Sequence, residues 1–243
     1  MATSVPERKA VKRPRFFLGM AVLAVVVAVA GFSTTFFVPM VAGHFRAPLV
    51  IHLHGALFFG WVLLLVLQSA LVQRGQLPWH RLLGWYGTAL ATGMVTTGVA
   101  VGVWVTRRDL TNGLGEFAKG QFLIVVVEML VFATLVGLAI WKRRQGAAHK
   151  RLMLLATISI LGPAWFRFRH FLPWVENPIV VFSIVADSLL LVAMLYDRLA
   201  LARVHRVYWW AGLTMVAVHV AELAFAETEG WIGVGAWLYG VLG

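Results

Sequence analysis

Long apolar runs alternate with short polar connections along the whole chain. Four stretches contain no Asp, Glu, Lys or Arg: 16–43, 47–73, 82–106 and 207–221. The apolar runs are continuous rather than alternating, which favours helices over half-buried β-strands. A helix crosses a bilayer with about 20 mainly apolar residues. We therefore predict seven transmembrane helices at 16–42, 48–73, 82–106, 121–141, 152–170, 178–196 and 207–226.

Composition supports the same fold class. Of the 243 residues, 60% are hydrophobic and only 13% are charged, whereas soluble domains carry about 25% charged residues. Lipid cannot satisfy backbone polar groups, so long helices are required. We predict an all-α polytopic membrane bundle that forms a single transmembrane domain over 1–243. The apolar tail 231–243 is too short to span and rich in glycine, and we expect it at the outer interface or folded back into the bundle.

The basic residues predict the orientation of the bundle. Fifteen of the 21 Lys and Arg residues fall on one side of the predicted spans, and cytoplasmic loops are the basic ones. This places a basic tail, 1–15, and the N-terminus in the cytoplasm and the C-terminus outside. The net charge of +11 sits at the ends of apolar runs, so it indicates membrane lipids as partners rather than nucleic acid.

The N-terminus has an alternative interpretation. A basic segment, an apolar run and Ala28-Val29-Ala30 resemble a signal peptide with its cleavage site. The apolar run continues to Val38, which favours retention as a span. Cleavage would leave six spans in the same orientation.

Ionisable side chains inside the predicted spans fall at similar depth. At 1.5 Å per residue they lie about 6 to 14 Å from the outer end of their helix, and an ionisable residue in a span is a candidate functional residue. These residues, the predicted metal ligands, are His52, His54, Glu128, Asp187, His219 and Glu222.

Imidazole and carboxylate groups together bind zinc, iron or copper, two histidines can ligate haem b, and a His–carboxylate chain can relay protons. His52 and His54 point about 200° apart on a helix, so only one can face a given site. His219 and Glu222 share a face. The chain contains no cysteine, which excludes disulfides, thiolate metal sites, iron–sulfur clusters and covalently attached haem.

A basic rim made of Arg46, Arg167, Arg169 and His170 flanks this region. Together with His54, the residues Arg167, Arg169 and His170 could hold a cofactor, because guanidinium groups bind haem propionates, phosphate or another anion. The two arginines could equally neutralise Glu128 and Asp187 as buried ion pairs. Gly162-Pro163 precedes the rim and predicts a kink in the fifth span.

Several motifs resemble a group of uncharacterised bacterial multi-pass membrane proteins. The segments that carry the resemblance are HFRAPLVIHLHGALFFGWVLLLVLQSALVQRGQLPWHRLLGWYG, AHKRLMLLATISILGPA and LYDRLALARVHRVYWWAG. The resemblance implies a bacterial inner-membrane location and no established reaction. The shared positions are His44, His52, His54, Gly55, Trp61, Gln68, His80, Arg81, Gly84, Lys150, Arg151, Asp197 and His205.

A more distant similarity to cytochrome b561-like proteins implies haem held by transmembrane histidines. It would place His54 with His170 or His219 at an outer haem, and His80 with His149 or His205 at an inner one. The leading hypothesis from the sequence is therefore a membrane protein that binds a metal ion or haem b in the outer half of the bilayer and serves a small-molecule or redox partner. The alternatives are a proton-coupled transporter of a small solute, or an assembly subunit without catalysis. No inverted repeat or pair of broken helices is recognisable, which counts against the transporter.

Overall fold

The computed structural model describes residues 15–243, so most of the predicted basic tail 1–15 lies outside the described residues. Eight helical segments follow one another, and no strand occurs in this part of the chain. They are α1 Phe16–Val41, α2 Leu49–Gln73, α3 Leu77–Thr111, α4 Phe117–Trp141, α5 Gly146–His170, α6 Pro178–Leu201, α7 Tyr208–Phe225 and α8 Glu229–Leu242.

Six of these segments, α1 to α6, are long and apolar enough to cross a membrane, as in a multi-pass membrane protein. The pair α7 and α8 meets the same criterion only as a unit, and the two helices meet at an angle of 103°. The described residues therefore hold six spans, or seven if the bent pair counts as one. The predicted spans match the helices closely, although α3 extends beyond the predicted 82–106 at both ends.

Three of the helices contain breaks or irregular turns. In α1, a π-helical turn at Ser33–Phe37 separates Phe16–Phe32 from Val38–Val41. The helix α5 breaks after Ser159, resumes at Gly162–Phe166 and ends as a 3₁₀ turn at Arg167–His170. The helix α7 begins with the π-helical turn Tyr208–Gly212. Proline at the start of the second piece of α5 lacks the backbone N–H that an unbroken helix would need.

The helix α5 lies at the centre of the bundle. In its most apolar stretch, 61% of the residues are buried inside the protein, compared with 17–33% in the other five spans. Trp61 of α2 reaches it by donating a hydrogen bond from Nε1 to Thr157 Oγ1 at 3.1 Å. The indole also packs edge-on against Phe132 of α4, with 5.0 Å between ring centroids. Trp61 thus joins three spans inside the core.

Glycine permits the closest helix contacts, since helix backbones approach most closely where no side chain intervenes. A Cβ atom at Gly31 of α1 would overlap the carbonyl oxygen of Ala164 in α5. A Cβ atom at Gly235 of α8 would likewise overlap the carbonyl oxygen of Lys119 in α4.

The tail 231–243 forms most of the helix α8, despite its glycine content. Thr228 caps it by accepting a hydrogen bond from the Trp231 backbone N–H at 3.4 Å, and Trp231 Nε1 donates to the Gly120 carbonyl oxygen at 3.0 Å. At its other end, Arg107 Nη2 donates to the Gly243 carbonyl oxygen at 3.3 Å. The helix therefore lies across the adjoining ends of α3 and α4.

Candidate functional site

Three helices bring ionisable side chains together inside the bundle. Glu128 comes from α4, Asp187 from α6, and His219 and Glu222 from α7. Counted along each helix from Phe117, Pro178 and Phe225, the first three lie about 9 to 16 Å from the same end of the bundle. We call these four residues the acidic cluster.

His219 is the centre of the acidic cluster. Its Nδ1 lies 2.8 Å from Asp187 Oδ1 in a hydrogen bond, and its Nε2 lies 3.2 Å from Glu128 Oε1. The second contact is within ion-pair distance, but it is not aligned as a hydrogen bond. The three side chains are only 13–22% exposed. The imidazole is therefore held between two carboxyl groups from different helices.

Glu222 adds a third carboxyl group. It is buried, it interacts with Glu128 and Asp187, and its Oε1 has no hydrogen-bond partner among the described residues. It lies three residues after His219, so one turn of α7 carries both groups on the same face. No Lys or Arg in the described part of the chain forms an ion pair with any of these carboxyl groups.

The predicted ligands His52 and His54 make other contacts. His54 Nδ1 lies 3.0 Å from Thr97 Oγ1 of α3, where the Thr97 hydroxyl also donates to the Gly93 carbonyl oxygen at 2.7 Å. The His52 ring packs edge-on against Phe45, with centroids 5.4 Å apart. The two imidazoles thus diverge, as their spacing predicts, and neither has a hydrogen bond or ion pair to the acidic cluster within residues 15–243.

The metal-site hypothesis gains no support from this arrangement. Within residues 15–243, no group of three or more His, Asp or Glu side chains is placed so that it could hold a metal ion. Four of the six predicted ligands do meet. However, the His219 imidazole lies between the carboxyl groups of Asp187 and Glu128 and contacts each of them with a different ring nitrogen. At the other end of the bundle, the His80 and His149 rings lie 6.2 Å apart, and His149 Nδ1 lies 2.9 Å from the Ala139 carbonyl oxygen.

The rim arginines do not neutralise the acidic cluster. Arg167 donates from Nε to Thr35 Oγ1 at 3.0 Å and from Nη1 to the Pro163 carbonyl oxygen at 2.7 Å. Arg169 donates to the Phe166 carbonyl oxygen at 3.2 Å. Neither forms an ion pair with a described carboxylate, so the predicted pairing with Glu128 or Asp187 is not formed. His170, the fourth predicted rim residue, is exposed.

Sequence reasoning missed a second polar cluster, which ties α5 to α6. Arg151 and Asp197 are 1% and 0% exposed, and the guanidinium forms a two-point contact with the carboxylate, including Nε to Oδ2 at 2.8 Å. Arg151 also donates from Nη1 to the Ala147 carbonyl oxygen at 2.7 Å. The available signal was the presence of both Arg151 and Asp197 among the shared motif positions.

His205 connects this ion pair to the start of α7. Its backbone N–H donates to Asp197 Oδ2 at 3.1 Å, and its Nδ1 accepts a hydrogen bond from the Val207 backbone N–H at 3.2 Å. Burial lowers the pKa of His205 below its ordinary value of 6.5, and the nearby Arg151 guanidinium lowers it further. An unprotonated Nδ1 is what acceptance of the Val207 hydrogen bond requires.

Comparison with known protein families, curated proteins and solved structures finds no match to this chain. The resemblance to bacterial membrane proteins and the similarity to cytochrome b561-like proteins stay predictions.

Proposed function

We propose that this chain is a proton-coupled membrane protein in the inner membrane of a bacterium, and that the acidic cluster is its proton-binding site. The carrying observation is that His219 lies between Asp187 and Glu128, at 2.8 Å and 3.2 Å. Coupled movement of a small solute is the activity such a site would serve.

Charge balance supports protonation at this site. If all three carboxyl groups of the acidic cluster were ionised, a protonated His219 would still leave two negative charges without compensation. Unpaired charge away from water costs several kcal/mol. The cluster is therefore expected to retain protons and to lose or gain them as water or a solute reaches it.

The imidazole gives the cluster two distinct states. A neutral imidazole has one N–H and can donate to one carboxyl group only, whereas an imidazolium donates from both nitrogens. Proton uptake by His219 would allow donation to Asp187 and Glu128 together. Because these residues lie on α6 and α4, protonation would strengthen the contact of α7 with both helices.

The interrupted spans are consistent with a carrier. Irregular backbone within a membrane is found where it is buried in protein or lines a cavity, and discontinuous helices form the binding sites of many transporters. The break in α5 lies at the predicted Gly162-Pro163 kink, whereas the π-helical turns in α1 and α7 were not recognisable from the sequence. They weaken the objection that no broken helices are present, although an inverted repeat is still not recognisable.

Infrared difference spectroscopy tests the proton-binding proposal. The purified full-length chain is titrated across neutral pH while the carboxylic-acid C=O stretch is followed. We expect a titrating carboxylic-acid signal that changes in Glu128→Gln and His219→Gln, and persists in Glu229→Gln, which alters an exposed acidic residue. A spectrum identical in all four proteins would refute the proposal. Loss of folding without any titrating signal would instead indicate that the cluster only packs helices together.

Binding of a metal ion or haem b is tested separately by visible absorption and by elemental analysis of the same preparation. The sequence hypothesis predicts that His54→Ala abolishes such binding, and that His80→Ala, at the other end of the bundle, leaves it intact. A bound metal or haem lost in His54→Ala would favour the redox or metal role over the proton-coupled one. If neither is bound and no carboxyl group titrates, an assembly role is favoured.

A further inference from the structure

We propose that Arg167 and Arg169 form a binding site for a small carboxylate or phosphate anion, located where the interrupted parts of α1 and α5 meet. This anion site is separate from the acidic cluster, and its existence does not depend on proton binding there.

Arg167 is held in a fixed orientation by three contacts. Its Nε donates to Thr35 in the π-helical turn of α1, and its Nη1 donates to Pro163 in α5. The guanidinium carbon lies 4.1 Å from the centre of the Phe32 ring. Nη2 has no hydrogen-bond partner among the described residues. A guanidinium fixed in this way retains donors for a ligand and loses little conformational entropy on binding.

Arg169 adds a second positive charge beside the first. The two guanidinium groups are close enough for their like charges to repel each other, and Arg169 lies 3.8 Å from the Phe166 ring centre. Both side chains are partly buried, and no described carboxylate pairs with either. Two close cations in a membrane span are costly without a counter-charge. An anion supplies that counter-charge, and carboxylates and phosphates match the guanidinium fork.

The backbone around the pair is irregular on both helices. Thr35 belongs to the π-helical turn Ser33–Phe37, and Arg167 begins the 3₁₀ turn that ends α5. π-Helical turns within α-helices are frequent at functional sites. The close contact of Gly31 with Ala164 fixes α1 against α5 just below this point. The two irregular segments are therefore held together as a preformed site.

The anion could be a soluble ion or the headgroup of an anionic lipid, since both present the same phosphate chemistry. Isothermal titration calorimetry on the full-length chain in uncharged detergent, with inorganic phosphate and with acetate, tests the soluble source. Native mass spectrometry after mixing with phosphatidylglycerol or with phosphatidylcholine tests the lipid source. The variants are Arg167→Lys, which keeps the charge but removes the fork, and Arg169→Gln. Arg46→Gln is the matched control, because Arg46 is exposed and forms no hydrogen bond or ion pair with a described residue.

We expect the two site variants to weaken anion binding about 10- to 100-fold, because a hydrogen bond between charged groups contributes about 1.5 to 3 kcal/mol. The control variant Arg46→Gln should bind the anion as tightly as the unaltered chain does. Loss of phosphate or acetate binding identifies a soluble anion. Loss confined to phosphatidylglycerol identifies a lipid headgroup. Equal binding in all four proteins, or no binding of any of these anions to the unaltered chain, would overturn the proposal. Monodispersity of each variant in detergent separates lost binding from lost folding.

Discussion

Removing the carboxylate of Asp197 should destabilise the bundle severely. The change Asp197→Asn keeps the size of the side chain but removes the charge that compensates Arg151. Both residues are at most 1% exposed, so water cannot replace the missing partner. The same carboxylate also accepts the His205 backbone N–H. The substitution therefore affects α5, α6 and the start of α7 together.

The magnitude follows from the contacts. Breaking a buried ion pair by removing one partner costs about 3 to 5 kcal/mol, because the remaining charge stays buried without compensation. Replacing both partners by apolar residues, as in Arg151→Met with Asp197→Leu, leaves no buried charge and should cost much less. The exposed pair Arg108–Asp109 is the control: Arg108 is 50% exposed, and Arg108→Gln should cost about 0 to 1 kcal/mol.

Unfolding in mixed micelles, followed by tryptophan fluorescence as SDS is added, measures these free energies. The expected order of stability is unaltered chain, Arg108→Gln, double variant and then Asp197→Asn. If Asp197→Asn unfolds within about 0.5 kcal/mol of the unaltered chain, which is the range of ordinary surface changes, Arg151 is not buried against Asp197. A double variant as unstable as the single one would show that packing, rather than uncompensated charge, causes the loss.

Three further predictions concern other parts of the chain. Burial depresses the pKa of His205. Its contribution to the unfolding free energy should therefore be fully present above the ordinary value of 6.5 and should be lost as the pH falls below it. The variant His205→Asn retains a hydrogen-bond acceptor but does not titrate, so it should remove this acid-sensitive part of the unfolding free energy. Gly31→Ala should destabilise by about 1 to 3 kcal/mol because its methyl group would meet the α5 backbone, whereas Gly19→Ala, which meets nothing within 4 Å, should be neutral or slightly stabilising in the same unfolding assay. A reporter fused after Gly243 should be active in the periplasm of a bacterial host, and cytoplasmic activity there would reverse the predicted orientation.

The spans themselves were determined by the sequence alone. A run of about 20 apolar residues must be helical in lipid whatever its neighbours are, because the helix satisfies its own backbone. The first two predicted spans therefore agree with α1 and α2 to within a residue or two. The ends of α3 were missed because a helix continues into the headgroup region, where charged residues such as Arg107 and Arg108 are no longer costly. The helix α8 was also missed, since a Gly-rich tail carries no strong signal for a packed helix.

The candidate sites were decided largely by the tertiary structure. Depth in the membrane follows from position along a helix, so the sequence could place six ionisable residues at one level. Which of them meet depends on how each helix is rotated about its own axis and on which helices are neighbours. That rotation brings His219 between Asp187 and Glu128 and turns His54 towards Thr97 instead. Packing also buries Arg151 against Asp197, because a charge at a span boundary is covered only when another helix supplies its partner.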